Sequence, residues 1–131
     1  MKLESRKVLI QRPINEVFQF ISTIQNYEQL MPENAEFSMH ESGQGFSVQL
    51  KGLPKVGLKQ KEIQEPHYIL FESPTDNFKY EMRVNATETE DGNTETFIDF
   101  DGDFNPMLEM MAKSPLTKFI EQIADNLEKS F

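Results

Sequence analysis

Apolar and polar residues alternate from Leu3 to Gln11. Arg6, Val8 and Ile10 fall on one side and Ser5, Lys7 and Leu9 on the other, a period of two that predicts a strand. Pro13 ends the ladder and presets the first turn of a helix. From there the period changes: Ile14, Val17, Phe18, Ile21 and Ile24 recur at helical spacing, predicting a helix that closes at Gln25-Asn26. A second short helix or turn is expected from Tyr27 to Met31, stopped by Pro32.

Up to residue 104 the period returns to two. Phe37 and Met39 share a face between Ala35 and Glu41, and Ser42-Gly43-Gln44-Gly45 is turn chemistry. Phe46, Val48 and Leu50 then alternate with Ser47, Gln49 and Lys51. After the Gly52-Leu53-Pro54 interruption, Val56 to Gln64 predicts a weaker strand with Lys59 and Lys61 outward. Tyr68 to Ser73 is apolar on both parities and leaves its inward face undecided. Phe78, Tyr80, Met82, Val84 and Ala86 alternate with polar residues, as do Thr94, Thr96, Ile98 and Phe100.

Parity alone registers the last hairpin. Val84 and Ile98 must point to the same side, which excludes a two-residue loop at Asp91-Gly92 and selects Glu90-Asp91-Gly92, with Gly at the left-handed position. Arg83 then faces Asp99, Lys79 faces Asp103 and Glu81 faces Asp101. The remaining stretch, Asn105 to Phe131, is the longest helical signal, with Leu116, Phe119, Ile120, Ile123, Ala124 and Leu127 on one stripe. Pro115 inside it removes a backbone donor, so a kink or break is expected there, with Ser114 as a new N-cap and the first half free to move as a gate.

Composition narrows the function classes. A chain of 131 residues makes one domain, residues 1–131. Its formal charge of −9 disfavours nucleic acid and stable docking on an anionic membrane, both of which call for Lys and Arg. The absence of Cys excludes disulfides, thiolate metal sites and Cys nucleophiles. No apolar run is long enough to span a membrane and none follows the charged start, so a cytoplasmic protein is expected, and the Asn85-Ala86-Thr87 sequon is read as chance. With eleven Phe, seven Met and no Trp, the apolar material is bulky, flexible and nearly free of polar handles.

Candidate chemistry is sparse. Asp99, Asp101 and Asp103 recur at every second position, but a calcium loop needs Gly at its sixth position and Glu at its twelfth, where Phe104 and Met110 stand. Alternating Asp on a strand instead spread along one solvated face. Ser42-Gly43-Gln44-Gly45 lacks the Gly-Lys-Ser/Thr ending and the following helix of a phosphate loop. His40 takes the outward parity and His67 starts a strand; no zinc pair and no Ser/His/Asp elbow is present. Lys51, Lys55, Lys59 and Lys61 form the one basic run, read as a solvated face or, more sharply, as a contact for an anionic ligand. Met107, Leu108, Met110 and Met111 crowd one helical turn and predict burial on more than one side, as core filling or a cavity wall.

The order strand, two short helices, strands, long C-terminal helix resembles the START-like (SRPBCC, polyketide cyclase-like) superfamily. The run Val8-Leu9-Ile10-Gln11-Arg12-Pro13-Ile14-Asn15-Glu16-Val17-Phe18, Pro32 after the second helix, and Gly-Asn-Thr-Glu-Thr at 92–96 carry the likeness. What it implies is an α+β helix-grip fold: a curved antiparallel sheet of about six to seven strands around the C-terminal helix, two short helices after strand 1, and an apolar cavity between. Members bind lipids, sterols, polyketides and plant hormones, and some are cyclases, dehydratases or co-chaperones; fold alone does not choose among them.

The expected lining is Phe37, Met39, Val48, Leu50, Phe78, Tyr80, Met82, Ile98 and Phe100, with Leu108, Met111, Leu116 and Phe119 on the lid side and Tyr80 donating to a ligand. The leading expectation is binding of a hydrophobic small molecule or lipid, with no cofactor, metal or catalytic residue. An enzyme would need a titratable group inside the cavity, and Tyr80, His40, His67 and Glu72 are the candidates. A co-chaperone-like interaction module would instead show a filled core and an exposed apolar patch near Leu53 to Leu58.

Overall fold

The computed structural model describes residues 1–33 and 35–131. The strand expected at the N-terminus is two strands, β1 (Lys2–Glu4) and β2 (Val8–Ile10), both paired with the strand Thr94–Asp103. Leu3 faces Phe100 while Val8 faces Thr96, registers that differ by one residue. The extra residue is absorbed at Ser5, which turns inward and is buried. Its amide donates to the Ile98 carbonyl and its Oγ accepts from the Ile98 amide, each at 2.8 Å. The bulge re-aims Arg6. Expected on the Val8 face, Arg6 is instead exposed and bonds Asp125 and Glu128 of the C-terminal helix.

Helix α1 (Ile14–Ile21) ends earlier than the apolar spacing predicts. The Ser22 and Thr23 hydroxyls both donate to the Gln19 carbonyl, at 3.3 and 2.7 Å, competing with continued helix. Ile24 thus belongs to a following 3-10 helix, Ile24–Leu30. Strands β3 (Glu36–Met39), β4 (Gly45–Gln49), β5 (Val56–Gln64), β6 (Tyr68–Glu72), β7 (Lys79–Glu88) and β8 (Thr94–Asp103) complete one antiparallel sheet in the order β1-β8-β7-β6-β5-β4-β3, with β2 also on β8. Among the described residues the count is eight, one or two above the expected number; the split first strand contributes one of them. A register shift between Gln60 and Glu62 reverses the parity of β5, so Gln60 faces Phe71 but Ile63 faces Ile69. In β6 the undecided face resolves to Ile69 and Phe71, both buried.

The β7–β8 register is the one parity selects, from Lys79 opposite Asp103 to Val84 opposite Ile98. Thr89 N donates to Asn93 O at 2.9 Å to close the three-residue loop, with Gly92 at φ +81°. Arg83 Nε lies 3.4 Å from Asp99. Glu81, opposite Asp101, is relieved by Lys61 of the more distant β5, whose Nζ lies 2.9 Å away.

Helix α2 (Pro106–Lys129) runs unbroken through Pro115, contrary to the expected break. Asn105 is its N-cap, accepting from Leu108 N at 2.9 Å, and Ser114 caps nothing. Burial explains the continuity. Ala112 and Leu116 flank the proline and both pack inward, in line with Phe119, Ile120, Ile123, Ala124 and Leu127. An interior Pro costs a helix about 3 kcal/mol. Each large apolar side chain buried returns about 1.5–3 kcal/mol, so holding both halves on one sheet outweighs the lost bond. No helix among the described residues is long and apolar enough to cross a membrane.

Candidate functional site

The space between α2 and the sheet divides into a filled half and an open half. On the filled side the 3-10 helix drives Tyr27 into the sheet, where its ring stacks on Phe46 at 5.3 Å and meets Phe71 edge-on. Phe46 also packs on Phe37 and Phe71. The Tyr27 hydroxyl donates to Ile21 O at 2.7 Å, and complete burial pushes its pKa upward. Several expected lining residues are spent in this packing or elsewhere in the core. Val48, Met82 and Ile98 are fully buried, and Phe37 closes the edge.

The open half holds a cavity of about 230 Å³ under the first turns of α2. Phe100 of β8, Phe104 just after it, and Leu108, Ala112 and Leu116 of the helix line it on one side; Ser47, Leu53, Val56, Gly57 and Tyr80 line it from the sheet side. Pro54, Lys55, Pro74, Thr75 and Phe78 surround it as exposed residues, so it opens between the β4–β5 and β6–β7 connections. Its wall is mainly aromatic and aliphatic, with the Ser47 hydroxyl, bonded to His40, among the polar groups. Tyr80 stacks on Phe100 at 5.6 Å, and Phe104 meets Tyr80 edge-on at 6.2 Å. Gly102 permits this. A side chain there would meet the Phe104 ring at 2.7 Å, so only glycine lets the ring fold back against β8.

Tyr80 is the one hydroxyl expected inside, and it does not face a ligand. Its Oη donates to Gly57 O at 2.8 Å and accepts from Gly57 N at 3.0 Å. The cause lies in the sheet. Gln60 N donates to Gln44 O, so every second residue of β5 turns its peptide groups toward β6. Gly57 is one of these, but β6 pairing begins only at Lys59 opposite Glu72. Tyr80 fills the missing rung. Desolvation raises its pKa, and the hydrogen bond with Gly57 lowers it by less.

Of the thirteen expected lining residues, Phe78, Tyr80, Phe100, Leu108 and Leu116 meet at this cavity. Phe37, Val48, Met82 and Ile98 are packed away from it as described, Phe119 and Leu50 lie on a separate groove, and Met39 is 37% exposed. Met111 is also displaced from the wall, at 57% exposed. With Met107 and Met110 at 74% and 80%, it corrects the expectation that this turn is buried on several sides. The helix turns only Leu108 and Ala112 of that stretch toward the sheet. The apolar patch expected near Leu53 to Leu58 is absent, because Leu53, Val56 and Leu58 are all buried.

The other titratable candidates lie outside the cavity. His67 is exposed. Glu72 is on the outer face, 3.6 Å from Lys61. His40 is half-buried on the outer face of the β3–β4 hairpin, its Nε2 2.8 Å from Ser47 Oγ. Sequence reasoning passed over Leu53, Val56, Gly57, Phe104 and Ala112. An isolated Gly within a strand pattern was the available signal, since it marks close approach of another group to the backbone.

A family model described as polyketide cyclase / dehydrase and lipid transport matches residues 4–131. No curated protein matches the chain. Among solved structures, the KanY protein superposes with a TM-score of 0.78 at 14% identity, covering 99% of this chain and 96% of that one. A START superfamily protein from Mycobacterium smegmatis gives 0.64 at 17% identity, covering 98% and 95%. DynU16, a protein of the dynemicin biosynthetic locus, gives 0.61 at 16% identity, covering 98% of this chain but 48% of that one.

Proposed function

This chain belongs to the polyketide cyclase / dehydrase and lipid transport family, and from that premise we propose that it binds a small hydrophobic molecule, or one apolar segment of a larger one, in the cavity beneath α2. The observation that carries the reading is a space of about 230 Å³ with mainly apolar walls, in which the Tyr80 and Ser47 hydroxyls are already engaged with Gly57 and His40. Drug-sized ligands occupy pockets of roughly 300–1,000 Å³. A cavity of roughly 150 Å³ already admits benzene. The volume therefore suits a one- or two-ring compound or a short acyl segment. Binding would rest on apolar contact, and polar recognition would fall to the rim, where Lys55 and Thr75 stand. Tyr80 is engaged with Gly57, His67 and Glu72 lie outside, and His40 reaches the cavity only through its bond to the lining residue Ser47, which supports binding over direct proton transfer by these groups.

The test is fluorescence titration with 1-aminoanthracene. The wild-type protein should take it up saturably. Ala112→Leu, which fills the cavity from its helical wall, should weaken uptake by about tenfold, or ~1.4 kcal/mol. Met110→Ser, on the exposed face, should leave it unchanged. No saturable uptake, or uptake indifferent to Ala112→Leu, overturns the reading.

A further inference from the structure

The β3–β4 hairpin holds a serine and a histidine in contact at the mouth of the cavity. Ser47 lines the cavity, and its Oγ lies 2.8 Å from His40 Nε2. Both side chains belong to the outer face, since Phe46 and Val48 take the inward parity of β4. The cavity reaches that face because the sheet has a gap there. Gly57 stands opposite Ser47 on β5, and β6 pairs only from Lys59 onward. A Cβ at position 57 would lie 2.7 Å from Pro74 Cγ and 3.6 Å from Ser47 Oγ. Glycine therefore lets the β6–β7 connection close down beside the serine, and the hydroxyl sits where the apolar cavity gives way to its polar rim.

The hairpin itself builds the pair. The His40 amide donates to the Gly45 carbonyl at 3.0 Å, which makes Ser47 the diagonal neighbour of His40. A Cβ at position 45 would stand 2.7 Å from His40 Nδ1, so glycine leaves the room in which the ring lies across β4 and brings Nε2 to the hydroxyl. Among the described residues Ser47 Oγ has no other partner. A hydroxyl within hydrogen-bond reach of an imidazole is the arrangement that activates serine as a nucleophile, the ring taking the proton as the oxygen attacks. Lys55 and Thr75 share the cavity lining and are the donors available to a developing oxyanion.

We propose that Ser47 is the nucleophile and His40 its general base in the hydrolysis of esters of short apolar acids, the acyl chain lying in the cavity. The substrate class rests on the cavity-binding reading above; the dyad does not. Ser47 Oγ adds to the ester carbonyl as its proton passes to His40 Nε2. The bond from the acyl carbon to the alcohol oxygen breaks, and the alcohol leaves with that proton. Water then adds to the acyl carbon and gives a proton to His40. The acyl–Oγ bond breaks, Oγ recovers the proton, and the carboxylic acid departs. Ester and water become acid and alcohol, with both residues restored.

Labelling with a hexylphosphonofluoridate, located by peptide mass spectrometry, and hydrolysis of p-nitrophenyl hexanoate and butyrate test this. In the label a P–O bond to Ser47 forms as fluoride leaves. Ser47 should be labelled and no other serine. Ser47→Ala should abolish labelling and ester hydrolysis, and His40→Gln should slow both by about a hundredfold. Both variants should still take up 1-aminoanthracene, which shows that they fold. Hexanoate should exceed butyrate about tenfold in kcat/KM, from two further buried methylenes, and Ala112→Leu should remove that preference. Labelling spread over several serines, hydrolysis that survives Ser47→Ala, or an unchanged rate in His40→Gln would each overturn the dyad, and dye uptake intact beside any of these would leave the proposed function standing. Hydrolysis that depends on Ser47 but is indifferent to chain length and to Ala112→Leu would support the dyad and count against the cavity as the acyl seat, and so against the proposed function alone.

Discussion

Thr94 and Thr96 form a matched pair with opposite consequences. Both lie on the inward face of β8, both are fully buried, and both are two residues apart on one strand. The Thr94 hydroxyl donates to Arg12 O at 2.8 Å. Among the described residues the Thr96 hydroxyl has no partner. Its cross-strand neighbours, Val8 on one side and Ala86 on the other, present only apolar side chains. Thr→Val exchanges the hydroxyl for a methyl while keeping the β-branch and the volume. At position 96 the change removes a buried unpaired hydroxyl, whose desolvation costs about 1–3 kcal/mol. A buried methyl adds about 0.8 kcal/mol. Thr96→Val should therefore stabilise the protein by up to about 2–4 kcal/mol, raising Tm by about 3–5 °C per kcal/mol. At position 94 the change deletes a made bond and should destabilise by about 0.5–1 kcal/mol. Urea unfolding of both variants beside the wild type, with the m-value held constant, gives the comparison. Thr96→Val that destabilises, or two variants that shift equally in one direction, would show that the Thr96 hydroxyl has a partner and would refute the reasoning.

Two further outcomes follow from the tyrosines. Tyr80→Phe strips both partners from the buried Gly57 peptide groups and should cost about 1–3 kcal/mol in urea unfolding. It should also speed hydrogen exchange of the Gly57 amide, and an exchange rate equal to wild type would count against the bridging role of the hydroxyl. Burial raises the Tyr27 pKa in the folded state. A raised pKa contributes stability that is complete below the unfolded value near 10 and declines as pH rises beyond it, by up to about 1.4 kcal/mol per pH unit per group. Tm measured from pH 9 upward should accordingly fall, and Tyr27→Phe should flatten that fall while lowering Tm by a constant amount through the lost bond to Ile21 O. A decline equally steep in the variant would assign it to other groups.

Much of this protein is legible in its sequence because period and parity are local properties. The β7–β8 register followed from requiring Val84 and Ile98 on one face and a Gly at the left-handed turn position, and every pair from Lys79–Asp103 onward agrees. The helical stripe of α2 and the turns at Gly43, Gly52 and Gly92 were visible for the same reason.

Failures arose where a distant group overrides a local preference. Ser5 breaks the first strand because its hydroxyl can replace a rung on Ile98, ninety-three positions away. Pro115 does not break α2 because the sheet holds residues on both sides of it. The exposed methionines looked like a cavity wall because composition cannot tell which arc of a helix meets the sheet.

The candidate site divides along the same line. Inward alternation on β7 and β8 identified Tyr80 and Phe100, and the helical pattern identified Leu108 and Leu116. Which half of the interior stays open was decided only in three dimensions, by where the 3-10 helix inserts Tyr27 and where β6 stops short of Gly57. Hydrophobic pattern assigns a residue to the interior. Whether that interior is filled depends on how facing elements meet, and no period along a single chain records that.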